Sequence, residues 1–280
     1  MSRSCRSDME ARELAQFADF ARQAALEAGE IVLPHFRVAI EVEDKGSGRD
    51  YDPVTVADRA AESAIRDAIR RTYPTHGILG EEHGREPGSS PYMWVIDPID
   101  GTRSFIVGHL HWAILIALND GTRPVVGVTH QPFVGETFIA CAGGDARWQR
   151  GTDSRTLHTR ACRRIEDAIV ITTDPRHFDP APKAAPYAAV TRDARFVRFG
   201  GDCYCYTQLA MGLADIVIET GLKPYDIQAL IPLIEAAGGV ITDWAGEPCD
   251  QGGDVLACGD RRLHAVLLDR IAETGVSRPK

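Results

Sequence analysis

Apolar residues recur at helical spacing at Leu14, Phe17, Ala18, Ala21, Ala25, Ala28 and Val32, which predicts a helix from Asp8 that Pro34 closes. Residues 1–7 ahead of it read as a loose tail. A second helix is predicted from near Thr55, with Ala61, Ile65, Ala68 and Ile69 on its buried face and Tyr73-Pro74 at its end. Between the two, residues 43–50 (EDKGSGRD) are charged and glycine-rich, and a mobile loop is expected there. Short apolar runs follow at 78–79 and 93–96, each leading into acidic residues. Runs at 112–118, 125–129 and 137–141 read as an antiparallel meander, with Asn119-Asp120-Gly121 as a hairpin turn. Past residue 150 the pattern changes to strands at 168–172, 216–219 and 239–242 and helices at 204–212, 226–237 and 263–271. Pro232 removes a backbone donor from the helix at 226–237 and is expected to kink it. The pattern is that of a layered α+β protein with a soft division near residue 150, residues 1–150 and 151–280 forming two halves of one catalytic unit.

At 280 residues the chain is long enough to bury a large core without disulfides. Its formal net charge of −9 argues against nonspecific nucleic-acid binding, which needs cations to neutralise phosphates. It leaves room for a small phosphorylated metabolite, because bound metal ions reverse the sign of a local field. The seven cysteines are odd in number and form no C-x-x-C pair, as expected for reduced thiols in a cytoplasmic protein. The polar residues 1–10 lack the apolar core of a signal peptide, and no apolar run is long enough to span a bilayer, so no membrane partner is expected.

Candidate chemistry gathers in three acidic segments: Gly80-Glu81-Glu82, Asp97-Pro98-Ile99-Asp100-Gly101-Thr102, and Lys223-Pro224-Tyr225-Asp226. In the middle one an apolar strand ends on Asp97, and Asp100 follows after one turn. Such a segment can be a plain acidic turn. Buried carboxylates, however, need partners, and Arg103 cannot serve them all. A hard divalent cation suits them better, since Mg²⁺ favours carboxylate oxygens, water and substrate phosphate. Gly101 permits close backbone approach, and the Gly101-Thr102 amides would offer donors to a phosphate if they open a helix. His109 and His111 alternate along an expected strand, but two ligands without a third make a poor zinc site. Cys203 and Cys205 read as buried thiols rather than a metal clip, and Trp94, Trp112 and Trp244 as core.

The chain resembles the inositol monophosphatase-like superfamily of metal-dependent, lithium-sensitive phosphomonoesterases. The likeness rests on Asp52-Pro53-Val54-Thr55-Val56-Ala57-Asp58, on Gly80-Glu81-Glu82, on the D-P-I-D-G-T segment at 97–102, and on Asp226 opening a helix that runs to Glu235-Ala236-Ala237-Gly238-Gly239. It implies an α/β/α/β/α sandwich, usually a homodimer, with on the order of two or three Mg²⁺ per active site and Mn²⁺ as a substitute. By the same resemblance Glu81, Asp97, Asp100 and Asp226 bind metal through carboxylates and Ile99 through its carbonyl. Thr102 and Asp58 form a hydrogen-bonded pair that, with Glu81, orients and deprotonates the attacking water. Lys45 falls where the family often has a loop lysine.

The later half of the chain builds the substrate pocket in this superfamily, with Gly101, Thr102, Ser104 and Asp226 at the phosphate end. At Asp202, relatives acting on inositol phosphates usually carry a small or hydroxyl residue. Asp202 and Glu219 would make an acidic rim some distance from the metals, favouring a cationic substrate and repelling a second phosphate. The alternative for Asp202 is a cap on the helix that follows. Gly201-Asp202-Cys203-Tyr204 and Leu222-Lys223-Pro224-Tyr225-Asp226 resemble the histidinol-phosphatase branch, which implies hydrolysis of L-histidinol phosphate in histidine biosynthesis. Inositol monophosphate and a 3′-phosphorylated adenosine nucleotide are the rival substrates. A non-catalytic regulatory protein that binds metal and phosphate is the rival of another class.

Overall fold

The computed structural model describes residues 3–46, 53–179 and 182–275. Helix α1 (Arg3–Val32) starts before Asp8, so part of the expected tail is helical. Strand β1 (Val42–Asp44) pairs antiparallel with β2 (Pro53–Thr55), so the 43–50 segment opens as a strand rather than a loop. Residues 47–52, including Asp52, lie outside the described residues. Helix α2 (Val56–Thr72) is capped by Thr55, whose hydroxyl oxygen accepts from Ala57 N, while the Asp58 carboxylate accepts from Thr55 N.

Next come β3 (Gly77–Gly80), β4 (Gly84–Glu86), β5 (Met93–Asp100), the short α3 (Thr102–Ile106), β6 (Ala113–Asn119), β7 (Pro124–Gln131), β8 (Glu136–Cys141), β9 (Arg147–Arg150) and β10 (Asp153–Thr156). All but β1, β2 and α3 join one eight-stranded sheet in the order β10-β9-β8-β7-β6-β5-β3-β4. The expected meander is its centre, and β3 pairs parallel to β5. The hairpin β9–β10 was not legible in the sequence: β10 is exposed throughout and carries no apolar alternation. His109 and His111 lie between α3 and β6, not on a strand as expected.

The rest of the chain gives β11 (Ile169–Thr172), α4 (Ala184–Thr191), β12 (Phe196–Phe199), α5 (Tyr204–Ala210), β13 (Ile216–Leu222), α6 (Pro224–Ile227), α7 (Leu230–Ala236), β14 (Val240–Asp243), β15 (Gly253–Cys258) and α8 (Arg261–Ala272). These strands form a five-stranded sheet, β12-β11-β13-β15-β14. The expected kink at Pro232 becomes a break between α6 and α7 at Gln228-Ala229. Proline has no N–H to offer the carbonyl four residues earlier, and that carbonyl belongs to Gln228.

Alternation along the strands shows how the layers stack. On β6, Ile114, Ile116 and Leu118 join a core with α1 and α2, whereas Ala113, Leu115 and Ala117 face α5 and α7. On β13 and β15, Val217, Val255 and Ala257 face those same middle helices, and Ile216, Ile218, Leu256 and Cys258 face a third core with α8. The order is helices, large sheet, helices, small sheet, helices. Because β6 is covered on both faces it reads as a continuous apolar run. Each fully buried Ile or Leu there contributes roughly 1.5–3 kcal/mol relative to exposure. Trp94 and Trp112 sit in the first core and Trp244 in the third. No described helix is long and apolar enough to cross a membrane.

Candidate active site

The site forms where β5 leaves the large sheet. In a regular strand, residues three apart point to opposite faces. Asp97 pairs with Leu115 and Asp100 with Ala113, so three steps on β5 match two on β6. This bulge adds the residue that turns Asp100 to the face of Asp97. Pro98, which cannot donate to the ladder, sits inside it. Ile99 N donates to Asp97 Oδ1 (3.0 Å), closing the turn.

Asp226 reaches the same point from the start of α6. Carboxylate oxygens of Asp97, Asp100 and Asp226 lie within 4.8 Å of one another. Backbone donors orient the other two as well: Cys203 N donates to Asp100 Oδ2 (2.7 Å) and Lys223 N to Asp226 Oδ2 (2.7 Å). Asp97 is 2% exposed. Burial first, and then the neighbouring Glu81, Asp100, Asp226 and Asp58, push its carboxyl well above the usual range. Asp100 is raised in the same direction by burial and then by Asp202 and Asp226.

Glu81 follows β3, on a turn packed against this group. Lys45 Nζ donates to Glu81 Oε1 (3.2 Å) and Glu82 Oε1 (2.6 Å). Burial pushes the Glu81 carboxyl up to about 7 despite Lys45. Glu82 pairs with Lys45, and His83 is an exposed turn residue bonded to Ser63. The carboxylate of Glu62 lies beneath this turn, a residue the sequence reading passed over; its only local signal was the spacing Glu62 to Arg66 on one helix.

The structure departs from the expected Thr102–Asp58 pair. The Thr102 hydroxyl donates to Ile99 O (3.0 Å), and Asp58 Oδ2 accepts from Thr55 N (2.8 Å) and Thr55 Oγ1 (2.6 Å). The reason is local: Asp58 is the third residue of α2, where a carboxylate captures the cap's orphan N–H. Asp58 Oδ1 is left buried with no hydrogen-bond partner among the described residues. Burial lifts this carboxyl to about 6.

Asp202 does not cap α5, whose N-terminus has no side-chain cap. It adopts a left-handed backbone (φ 45°) and accepts from Ser104 Oγ (2.9 Å). It sits beside Gly101 rather than at a distance, since a Cβ on Gly101 would lie 3.2 Å from Asp202 Cβ. Its pKa is pushed up to about 6, mainly by burial. Glu219 is not a rim group. It is 3% exposed and accepts from Thr173 N (2.6 Å) and Thr173 Oγ1 (3.0 Å). Cys203 and Cys205 are buried free thiols.

Burial raises Glu219 to about 8. The native state therefore holds this proton at pH values where the unfolded chain has released it. Stability must fall as pH rises from about 4.5 through about 8, by on the order of a few kcal/mol in total. In Glu219→Gln this fall is expected to shrink, with the variant gaining on the parent toward pH 9. Urea unfolding with Mg²⁺ held saturating across that range tests it, and parallel curves would refute it.

The donor set fits a hard divalent cation. It is all oxygen, it is crowded with like charge, and the described cations at its edge, chiefly Lys45, do not match its carboxylates. Asp97, Asp100 and Asp226 would hold Mg²⁺ or Mn²⁺, with Glu81 adjoining.

Residues 13–275 match the family described as the inositol monophosphatase family. Over 276 residues the chain is 37% identical to the chloroplastic bifunctional phosphatase IMPL2 of Arabidopsis thaliana, covering 95% of this chain and 78% of that one. It is 33% identical over 252 residues to a histidinol-phosphatase of Chlorobaculum parvum, covering 90% and 95%. An inositol monophosphatase structure from Zymomonas mobilis superposes with a TM-score of 0.81 at 35% identity, over 92% of this chain and 98% of that one. The chain belongs to the inositol monophosphatase family, whose members are metal-dependent phosphatases, typically using Mg²⁺, that act on small phosphorylated substrates.

Proposed function

We propose that this chain hydrolyses L-histidinol phosphate to L-histidinol and inorganic phosphate, a step of histidine biosynthesis. The observation that carries the choice is the carboxylate of Asp202, seated beside Gly101 and held by Ser104. Above pH ~6 that group is ionised, so it favours a substrate whose organic part is cationic and disfavours one bearing a second anion. The likeness to a histidinol-phosphatase supports the same reading.

Mg²⁺, when bound, supplies a Lewis acid for the phosphoryl oxygens and makes a coordinated water acidic enough to attack at neutral pH. Glu81, Asp97, Asp100, Asp226 and the Ile99 carbonyl would hold it. Glu81, with a pKa near neutrality, orients the attacking water and accepts its proton. Asp58 Oδ1, which has no other partner among the described residues, accepts a hydrogen bond from water. Gly101, Thr102 and Ser104 line the phosphoester, and Asp202 takes the ammonium group. A homodimer in the cytoplasm is the proposed state.

A substrate panel with Mg²⁺ tests the assignment: L-histidinol phosphate, inositol 1-phosphate and a 3′-phosphorylated adenosine nucleotide. Highest kcat/KM is expected for the first. Phosphate release from inositol phosphate with none from histidinol phosphate would reject it. Asp202→Ala should cost about 10- to 100-fold in kcat/KM for histidinol phosphate, mostly in KM, and under about threefold for a neutral aryl phosphate, the loss of one charge-assisted contact. Equal losses on both would sink the role of Asp202.

A further inference from the structure

We propose that Glu62 is a positioning residue for Glu81, setting the metal affinity of the site from beneath it. This rests on the reading of Glu81 as part of the metal site.

Glu62 lies on α2, is fully buried, and has both carboxylate oxygens engaged by donors. Its Oε2 accepts from Glu82 N (2.6 Å), and its Oε1 accepts from His83 N (3.1 Å) and Arg66 Nε (2.7 Å). The Glu82 N–H belongs to the peptide plane shared with Glu81. Fixing that N–H fixes ψ of Glu81, and therefore the direction in which its side chain leaves the turn. The neighbouring plane, between Glu82 and His83, is held by the other oxygen. Arg66 closes the arrangement by donating to the Gly84 carbonyl and to Glu86 Oε2 (3.4 Å), so both ends of the turn answer to one ion pair.

The pair also explains the glycine before Glu81. A Cβ on Gly80 would stand 2.1 Å from Glu62 Oε1. A carboxylate tied by three hydrogen bonds cannot swing away cheaply, so no other side chain fits while Glu62 stays in place. A buried ion pair of this kind adds little net stability, because desolvation offsets the attraction. Its effect is orientation.

The substitution Glu62→Gln preserves shape and length but turns one acceptor into a donor facing a donor. Isothermal titration calorimetry with MgCl₂ should then show affinity about 5- to 20-fold weaker than the parent's. At saturating Mg²⁺, where the bound ion itself draws Glu81 into place, kcat should fall less than about threefold and KM for the phosphoester should hold. Arg66→Lys, which keeps Glu62 paired but frees the Gly84 carbonyl, should weaken Mg²⁺ binding about two- to fivefold and serves if Glu62→Gln does not fold. Ile69→Val removes a buried methyl from the same helix and should leave Mg²⁺ affinity unchanged. Glu81→Gln separates the two readings. If it weakens Mg²⁺ binding while Glu62→Gln and Arg66→Lys do not, the positioning role is wrong. If Glu81→Gln itself leaves binding intact, the reading of Glu81 is wrong instead. If Ile69→Val weakens binding as much as Glu62→Gln, the effect is general loosening and the proposal falls.

Discussion

Asp97→Asn lowers turnover by at least about a thousandfold, the loss expected when a metal site worth several kcal/mol of transition-state stabilisation is disabled. The asparagine keeps the acceptor that Ile99 N uses, so the bulge survives. What it loses is the negative charge facing Asp100 and Asp226. The same change should stabilise the metal-free protein. Asp97 has its pKa raised in the folded state by burial and then by its acidic neighbours. A carboxyl raised in this way costs nothing below its unfolded pKa, and its full penalty is present once pH exceeds the folded value. In EDTA at pH 8, Asp97→Asn should therefore melt higher than the parent. With Mg²⁺ the order reverses, because ligand binding stabilises only the chain that binds it. Phosphate release and thermal unfolding with and without Mg²⁺ check both halves. Turnover within tenfold of the parent, or a parent melting point indifferent to Mg²⁺, would remove the metal site from the account.

Gly101→Ala should be nearly as damaging to activity, for a steric reason. Gly101 has φ 88°, in the left-handed region, and a Cβ there would meet the His111 carbonyl oxygen at 2.5 Å. Left-handed backbone costs a non-glycine residue about 1–2 kcal/mol, and backbone cannot retreat as a side chain can. The turn must shift, and with it Asp100 on one side and Thr102 on the other. Misplacement by about 1 Å can cost about a hundredfold in rate, so a hundredfold drop in kcat is expected, with a destabilisation of roughly 2–4 kcal/mol. Steady-state kinetics beside urea unfolding measures the two together. A variant that keeps its kcat would show that the tight approach between Gly101 and His111 does not govern the site.

Much of this protein was legible along the chain. Leu14 to Val32 and Ala61 to Ile69 repeat with the helical period, and β5 through β8 are apolar runs of strand length, because helices and strands bury faces that recur locally. The acidic segments at 80–82 and 97–102 pointed to a divalent cation, since carboxylates at the ends of apolar strands need a partner, and their resemblance, with Asp226, to the inositol monophosphatase-like superfamily implied a phosphatase. Elements without such periodicity escaped: β1 beside the charged 43–50 segment, and the exposed β10. Tertiary structure alone decided that Asp97 and Asp100 share a face, through a bulge visible only against β6, and that Asp226 joins them from the other half of the molecule. It also buried Glu219, gave the Thr102 hydroxyl to Ile99 and the Asp58 carboxylate to Thr55, and set Glu62 under the Glu81 turn. Periodicity records which side of an element faces the core. Which atoms meet there depends on strand order, register and layer stacking, and those are settled between residues far apart in the chain.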